Sequence, residues 1–211
     1  VVCAGTSFIA RRDALQEIGY FVTDSVSEDY FTGIRLSAKG YELAYLNEKL
    51  SAGLAAESIG AHIDQRLRWG RGTLQAFFIK SNPLTIPGLN FWQRLAHLEG
   101  LVHWLTCFPR VFFLFVPIIC TFGHLNPIVT SLPETMYVVL PYYILLLTVF
   151  SWLNRRSRSI LLSDVYSIVQ AIPVFITVIK VLLNPFGKGF KVTPKGLARD
   201  KFNYNWSLAL P

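Results

Sequence analysis

The strongest constraint on this chain lies in its second half, where apolar stretches cover residues 101–122, 136–153 and 160–183. A helix needs about 20 mostly apolar residues to cross the hydrocarbon of a bilayer. In lipid every backbone N–H and C=O must be paired within the structure, so such runs fold as helices. Composition agrees: 52% of residues are hydrophobic, 16% are charged and mean hydropathy is +0.40. Soluble domains carry about 25% charged residues.

Residues 1–95 hold most of the acidic side chains and read as a globular piece. The break between the halves falls at "KSNPLTIPGLN", residues 80–90, where prolines, a glycine and asparagines interrupt any helix. Residues 1–10 read as a strand and turn. In "RRDALQEIGYF", Ala14, Leu15 and Ile18 keep helical spacing until Gly19. A second helix opens at Ser27-Glu28-Asp29 and stops at Gly40, "ELAYLN" alternates as a strand, and a long helix runs from Ser58 to about Lys80. This order predicts the end of an α/β domain over residues 1–82. An α-helical transmembrane region with interfacial helices is expected over 83–183.

The charge distribution orients these pieces. The net charge is +7, but the basic residues flank the apolar runs and form no lysine-rich tail or basic helix, which argues against nucleic acid. Arg66, Arg68, Arg71, Lys80 and Arg94 precede the first run, "NRRSRS" follows the second, and the connection between them has no Lys or Arg. The positive-inside rule therefore puts residues 1–95 in the cytoplasm and that connection outside. The third run is basic on both flanks and contains Asp164, Gln170, Pro173 and Lys180. It is expected to lie along the membrane surface as an interfacial helix over 160–183; the competing reading is a third span. Residues 184–206 then form a cytoplasmic loop, and 207–211 begin a further span. Cys3, Cys107 and Cys120 suit neither a disulfide framework nor a zinc site. With no initiator methionine or signal peptide, the chain is expected to be an internal stretch of a larger multi-pass protein.

Three constellations carry chemistry. In "QRLRW", Gln65, Arg68 and Trp69 stand at i, i+3 and i+4 and share one helix face. A guanidinium fork matches phosphate oxygens, an amide both donates and accepts, and an indole face suits the C–H surface of a sugar ring. The alternative is an arginine cluster on lipid headgroups with tryptophan at the membrane interface. Glu28 and Asp29 offer carboxylates for general-base work, or simply begin a helix. In "FKVTPKG", Thr193 and Lys195 can meet phosphates and Phe190 can cover a base or sugar; otherwise this is a basic juxtamembrane loop.

Taken in this order, Ser27-Glu28-Asp29, then Gln65-Arg66-Leu67-Arg68-Trp69, then apolar helices, then Phe190-Lys191-Val192-Thr193-Pro194-Lys195, the chain resembles the carboxyl half of processive family-two glycosyltransferases of the cellulose-synthase type. That family carries Thr-Glu-Asp, Gln-x-x-Arg-Trp and Phe-x-Val-Thr-x-Lys motifs; Ser27 departs from its threonine but keeps the hydroxyl. The resemblance implies the end of a GT-A-type α/β domain. It implies Asp29 as general base within the Glu28-Asp29 pair, and Gln65 and Arg68 on the donor diphosphate. Trp69 would stack on the acceptor sugar, and Phe190, Val192, Thr193 and Lys195 would close over the nucleotide. The "CAGTS" stretch, Cys3 to Ser7, would form a small-residue strand beneath the acceptor. It further implies a UDP-sugar donor, a growing polysaccharide acceptor, a periplasmic or accessory synthase subunit as partner, and residence in the inner (plasma) membrane. Mg²⁺ is the implied cofactor, with its ligands and the uridine contacts upstream of Val1, so this piece alone is expected to be inactive. His103, Trp104, Arg110 and the Phe108, Phe112, Phe113 and Phe115 set could line a glycan channel, or Arg110 could reach the headgroups. Sister synthases making chitin, hyaluronan, mannan or other β-glucans share these expectations. A transporter or lipid-binding scaffold shares none of the site roles.

Overall fold

The computed structural model describes residues 5, 7–46, 48, 50–126, 129–155 and 159–187. Regular structure among them is helical: α1 (Arg12–Glu17), α2 (Glu28–Ala38), α3 (Ile59–Leu74), a 3₁₀ turn (Gln75–Phe78), α4 (Phe91–Leu105), α5 (Cys107–Phe122), α6 (Leu132–Leu153), α7 (Ile160–Val169) and α8 (Ala171–Leu183). Two compact units result, Val1–Thr106 with Pro173–Pro211, and Cys107–Ile172.

The strands of the expected α/β domain are not found among the described residues. Neither 8–10 nor 41–46 makes a ladder, and a strand exists only through hydrogen bonds to a neighbouring strand. The side-chain alternation itself is present. Tyr41 and Leu43 pack toward Ala14, Ile18 and Leu36, while Glu42 and Ala44 face outward. Among the described residues no second strand stands beside it to pair with.

In the first unit, α1 gives way to Gly19 (φ 78°) and α2 to Gly40 (φ 88°), where the chain turns through left-handed backbone. α2 buries Phe31 and Ile34 completely, together with Val22, Ala76, Leu89 and Leu101. Each such side chain contributes about 1.5–3 kcal/mol by leaving water. Thr32, also buried, donates its hydroxyl to the Glu28 carbonyl (2.6 Å) and accepts from the Val22 N–H (3.3 Å). α3 is capped by Ser58, whose Oγ accepts from the Ala61 N–H at 3.2 Å. It is shorter than the run to Lys80 expected from sequence, because the chain tightens into the 3₁₀ turn after Leu74. α4 begins with a capping box between Asn90 and Gln93. The 80–90 break is held by Arg94, which donates to the carbonyls of Pro83, Leu84 and Ile86 at 3.1, 2.5 and 2.7 Å.

The helical stretches Phe91–Phe122 and Leu132–Leu153 are each long and apolar enough to cross a membrane. They extend the expected first and second runs toward their N-termini. In α6, Pro133 stands in the first turn, where its missing N–H costs nothing, and Ser131 with Glu134 closes a capping box. The third apolar run is not one helix: α7 and α8 meet at a 55° bend. α8 buries a stripe of Ala171, Val174, Val178 and Val181, spaced for a single helical face.

Candidate active site

The geometry of α3 divides its crowded arginines among separate tasks. At about 100° per residue, Arg68, Gly72, Gln65 and Trp69 fall within roughly a 100° arc, and Gly70 lies nearly opposite Gly72. On the Gly70 side stands α4. A Cβ at Gly70 would come within 2.8 Å of the Trp104 ring, and the Arg66 guanidinium lies 5.4 Å from that ring's centroid. Arg66 is thereby a packing and cation–π partner of Trp104. Arg71 donates from Nη2 to the carbonyl of Gly187. Arg68 is the member that shares the face with Gln65 and Trp69.

That face meets the start of α2. A Cβ at Gly72 would collide with Ser27 Oγ, and would lie 2.9 Å from Ser27 Cβ and 3.0 Å from Val26 Cγ2. Only glycine lets the two backbones come so close. Ser27 is accordingly buried and makes no side-chain cap on α2, although it occupies the N-cap position. Its partner is α3.

Two residues on, Asp29 is held by backbone donors. The N–H of Gly5 lies 2.9 Å from Oδ2 and the N–H of Tyr30 lies 2.8 Å from Oδ1. Each carboxylate oxygen has two lone-pair sites, so the oriented group keeps acceptor capacity on both oxygens. Gly5 belongs to the small-residue stretch singled out in the sequence, and it stands beside Asp29. Cys3, Ala4 and Thr6 lie outside the described residues, as do Phe190, Val192, Thr193 and Lys195. Glu28 is exposed, and its carbonyl takes the Thr32 hydroxyl. Gln65 and Arg68 are half-buried, and Trp69 is 43% exposed, leaving indole surface for a ligand. Next to Asp29, burial raises the Tyr30 phenol to about 12, and its hydroxyl lies 3.3 Å from His97 Nδ1.

Among the described residues no three His, Cys, Asp or Glu side chains gather as a metal site. The chemistry below is therefore written for the chain's own groups. The sequence reading missed Gly70, Gly72, Ser25 and Gln75. Gln75 Oε1 accepts from Ser25 Oγ at 2.8 Å and from the Val26 N–H at 3.3 Å. A signal for the glycines was present, since "WGRG" places two of them in a helix interior at about 1 kcal/mol each, a cost that points to close packing.

Comparison with known proteins identifies the family. Residues 1–179 match the model of Glycosyl transferase family group 2. The chain is 35% identical, over 98% of its length, to the cellulose synthase catalytic subunit [UDP-forming] of Pseudomonas fluorescens (strain SBW25), of which it covers 28%. It is 37% identical, over 94% of its length, to the cellulose synthase 1 catalytic subunit [UDP-forming] of Komagataeibacter xylinus, of which it covers 27%. The chain thus spans little more than a quarter of these relatives, and that quarter contains Asp29, Gln65, Arg68 and Trp69. With its α2 and α3 motifs joined at Gly72 and its apolar helices following, this chain belongs to Glycosyl transferase family group 2.

Proposed function

We propose that the protein containing this chain is a processive, inverting glycosyltransferase. It moves glucose from UDP-glucose to the non-reducing end of a β-1,4-glucan and extrudes the product through the membrane. The observation that supports the reading is the close approach of Gly72 on α3 to Ser27, two residues before Asp29, with Gln65, Arg68 and Trp69 on the same side of α3 as Gly72. The engagement of Arg66 with Trp104 and of Arg71 with Gly187 favours a dedicated site over a loose arginine cluster on lipid headgroups. The names of the relatives favour UDP as the leaving group and cellulose as the product.

In this mechanism the acceptor hydroxyl attacks the anomeric carbon as the bond from that carbon to the diphosphate breaks. The hydroxyl proton passes to Asp29, and the bonding electron pair leaves with UDP. A positioned base contributes about 10²–10⁴-fold. Arg68 and Gln65 offset the charge that grows on the departing oxygens, where preorganised donors are most effective. Trp69 holds the acceptor ring so that its hydroxyl stays within reach. A divalent cation such as Mg²⁺, held by residues beyond this chain, would share the leaving-group charge. Residues 1–82 form the cytosolic end of the catalytic domain, 83–183 the membrane region, and 184–206 a cytosolic loop whose Phe190, Val192, Thr193 and Lys195 cover the nucleotide. The protein resides in the inner (plasma) membrane beside an accessory synthase subunit. The chain by itself does not turn over.

The test uses the full-length parent in membrane vesicles with magnesium and radiolabelled UDP-glucose, UDP-N-acetylglucosamine or GDP-mannose. The expected result is incorporation from UDP-glucose alone, product degraded by a β-1,4-glucanase, and loss of incorporation in Asp29→Asn. Incorporation of another sugar, or a resistant glucan, assigns the protein to a sister synthase. Full activity in Asp29→Asn refutes the base.

A further inference from the structure

At the end of α3 the Gln75 side chain is 3% exposed and joins two segments far apart in sequence. Its Nε2 donates to the carbonyl of Pro185, just beyond α8, at 2.8 Å. Its Oε1 accepts from Ser25 Oγ at 2.8 Å and from the Val26 N–H at 3.3 Å. The partners dictate which way the amide faces, because a carbonyl only accepts and a backbone N–H only donates. Ser25 Oγ in turn accepts from the Ser27 N–H at 3.2 Å, two residues before Asp29. A buried amide costs free energy unless it is hydrogen-bonded, and an apolar side chain fills the same volume without that demand. The described contacts use both acceptor sites and one donor of Gln75. Arg71, one turn earlier, adds a second tie to the same segment through the Gly187 carbonyl.

We propose that Gln75 is a positioning residue for sugar transfer, its amide and the Ser25 hydroxyl holding the backbone at Pro185 in register with the segment that carries Asp29. The proposal rests on the reading of Asp29 as the base. A base must lie within hydrogen-bond reach of the hydroxyl it deprotonates. Releasing the Ser25–Ser27 turn moves Asp29 relative to the acceptor. The Gln65 and Arg68 positions, about 15 and 10 Å back along α3 at 1.5 Å per residue, keep their hold on the donor. Water is small and mobile, so it tolerates a displaced base better than a sugar hydroxyl fixed on Trp69. Loss of the Gln75 link therefore shifts donor consumption from transfer toward hydrolysis. In hydrolysis the anomeric carbon bonds to water oxygen, the proton goes to Asp29 or solvent, and UDP departs as before.

The experiment measures UDP release and polymer incorporation in parallel, using vesicles of the full-length parent carrying Gln75→Leu, Gln75→Glu, Ser25→Ala or Asp29→Asn. Gln75→Leu is expected to lower incorporation about tenfold with the KM for UDP-glucose within about twofold, and to raise UDP released per sugar incorporated about threefold or more. Gln75→Glu, which loses the donor to Pro185, follows it. Ser25→Ala moves the ratio in the same direction by less, and adding it to Gln75→Leu produces no further change. A merely structural role lowers both readouts together and leaves their ratio fixed. If Gln75→Leu fails to accumulate, Ser25→Ala decides, since it keeps the packing. An unchanged ratio, with Asp29→Asn inactive, overturns the positioning role alone. An active Asp29→Asn overturns the base assignment and this proposal with it.

Discussion

Gly72→Ala places the smallest side chain at the junction of α2 and α3. The new Cβ would stand 2.9 Å from Ser27 Cβ and 3.0 Å from Val26 Cγ2, apart from its collision with Ser27 Oγ. Carbon atoms prefer about 3.5–4.0 Å, so the two backbones must separate by roughly 0.5–1 Å. Alanine favours the helix by about 1 kcal/mol over glycine, and overpacking costs about 1–3 kcal/mol. The net loss of stability is therefore small, about 0–2 kcal/mol by these two opposing terms. Function is more sensitive, because a misplacement of about 1 Å can lower a rate by about 10²-fold. Gly72→Ala is expected to reduce UDP-glucose incorporation by about 10- to 100-fold in vesicles of the full-length parent, with a melting temperature close to wild type. Adding Ser27→Gly, which removes the colliding atoms, is expected to restore about fivefold or more of that loss. Gly70→Ala presses on the Trp104 ring from the other face and is expected to lower stability with a smaller effect on rate. Activity of Gly72→Ala within about threefold of wild type, or no recovery in the double variant, refutes the claim that this contact sets the base.

The two tryptophans around α3 should separate binding from folding. Trp69→Ala removes an indole that is 43% exposed, so it should raise the acceptor KM with little change in melting. Trp104→Ala removes one that is 8% exposed and should cost about 3–5 kcal/mol in denaturant titration. The Tyr30 phenol, raised to about 12 by burial from an ordinary value of 10.0, contributes stability that is complete below pH 10 and lost between pH 10 and about 12. Melts of the parent between pH 9 and 11.5 should show it losing about 2 kcal/mol relative to Tyr30→Phe as pH rises; parallel curves exclude the effect. For the third apolar run, cysteines near Asp164 and at Gly187 should both label from the cytoplasmic side. External labelling at Gly187 makes the bent α7–α8 pair a span.

Much of this protein is written in local pattern. The apolar runs announce membrane-competent helices, because lipid admits few other backbones. Ser58, Gly19 and Gly40 mark helix ends through local hydrogen bonding and left-handed backbone, and the spacing of Gln65, Arg68 and Trp69 puts them on one face whatever surrounds them. The strand-like alternation at 41–46 was also legible, but a ladder needs a partner and sequence period alone does not supply one. Tertiary packing decided the rest. It turned Ser27 from a helix cap into a contact with Gly72, and divided the arginines between the Trp104 ring, the Gly187 carbonyl and the candidate donor face. It also linked Gln75 to Ser25 and Pro185 across separations no local window spans. Helices follow from the residues within one turn of each other; how closely α2 approaches α3 depends on which distant backbones are small enough to touch.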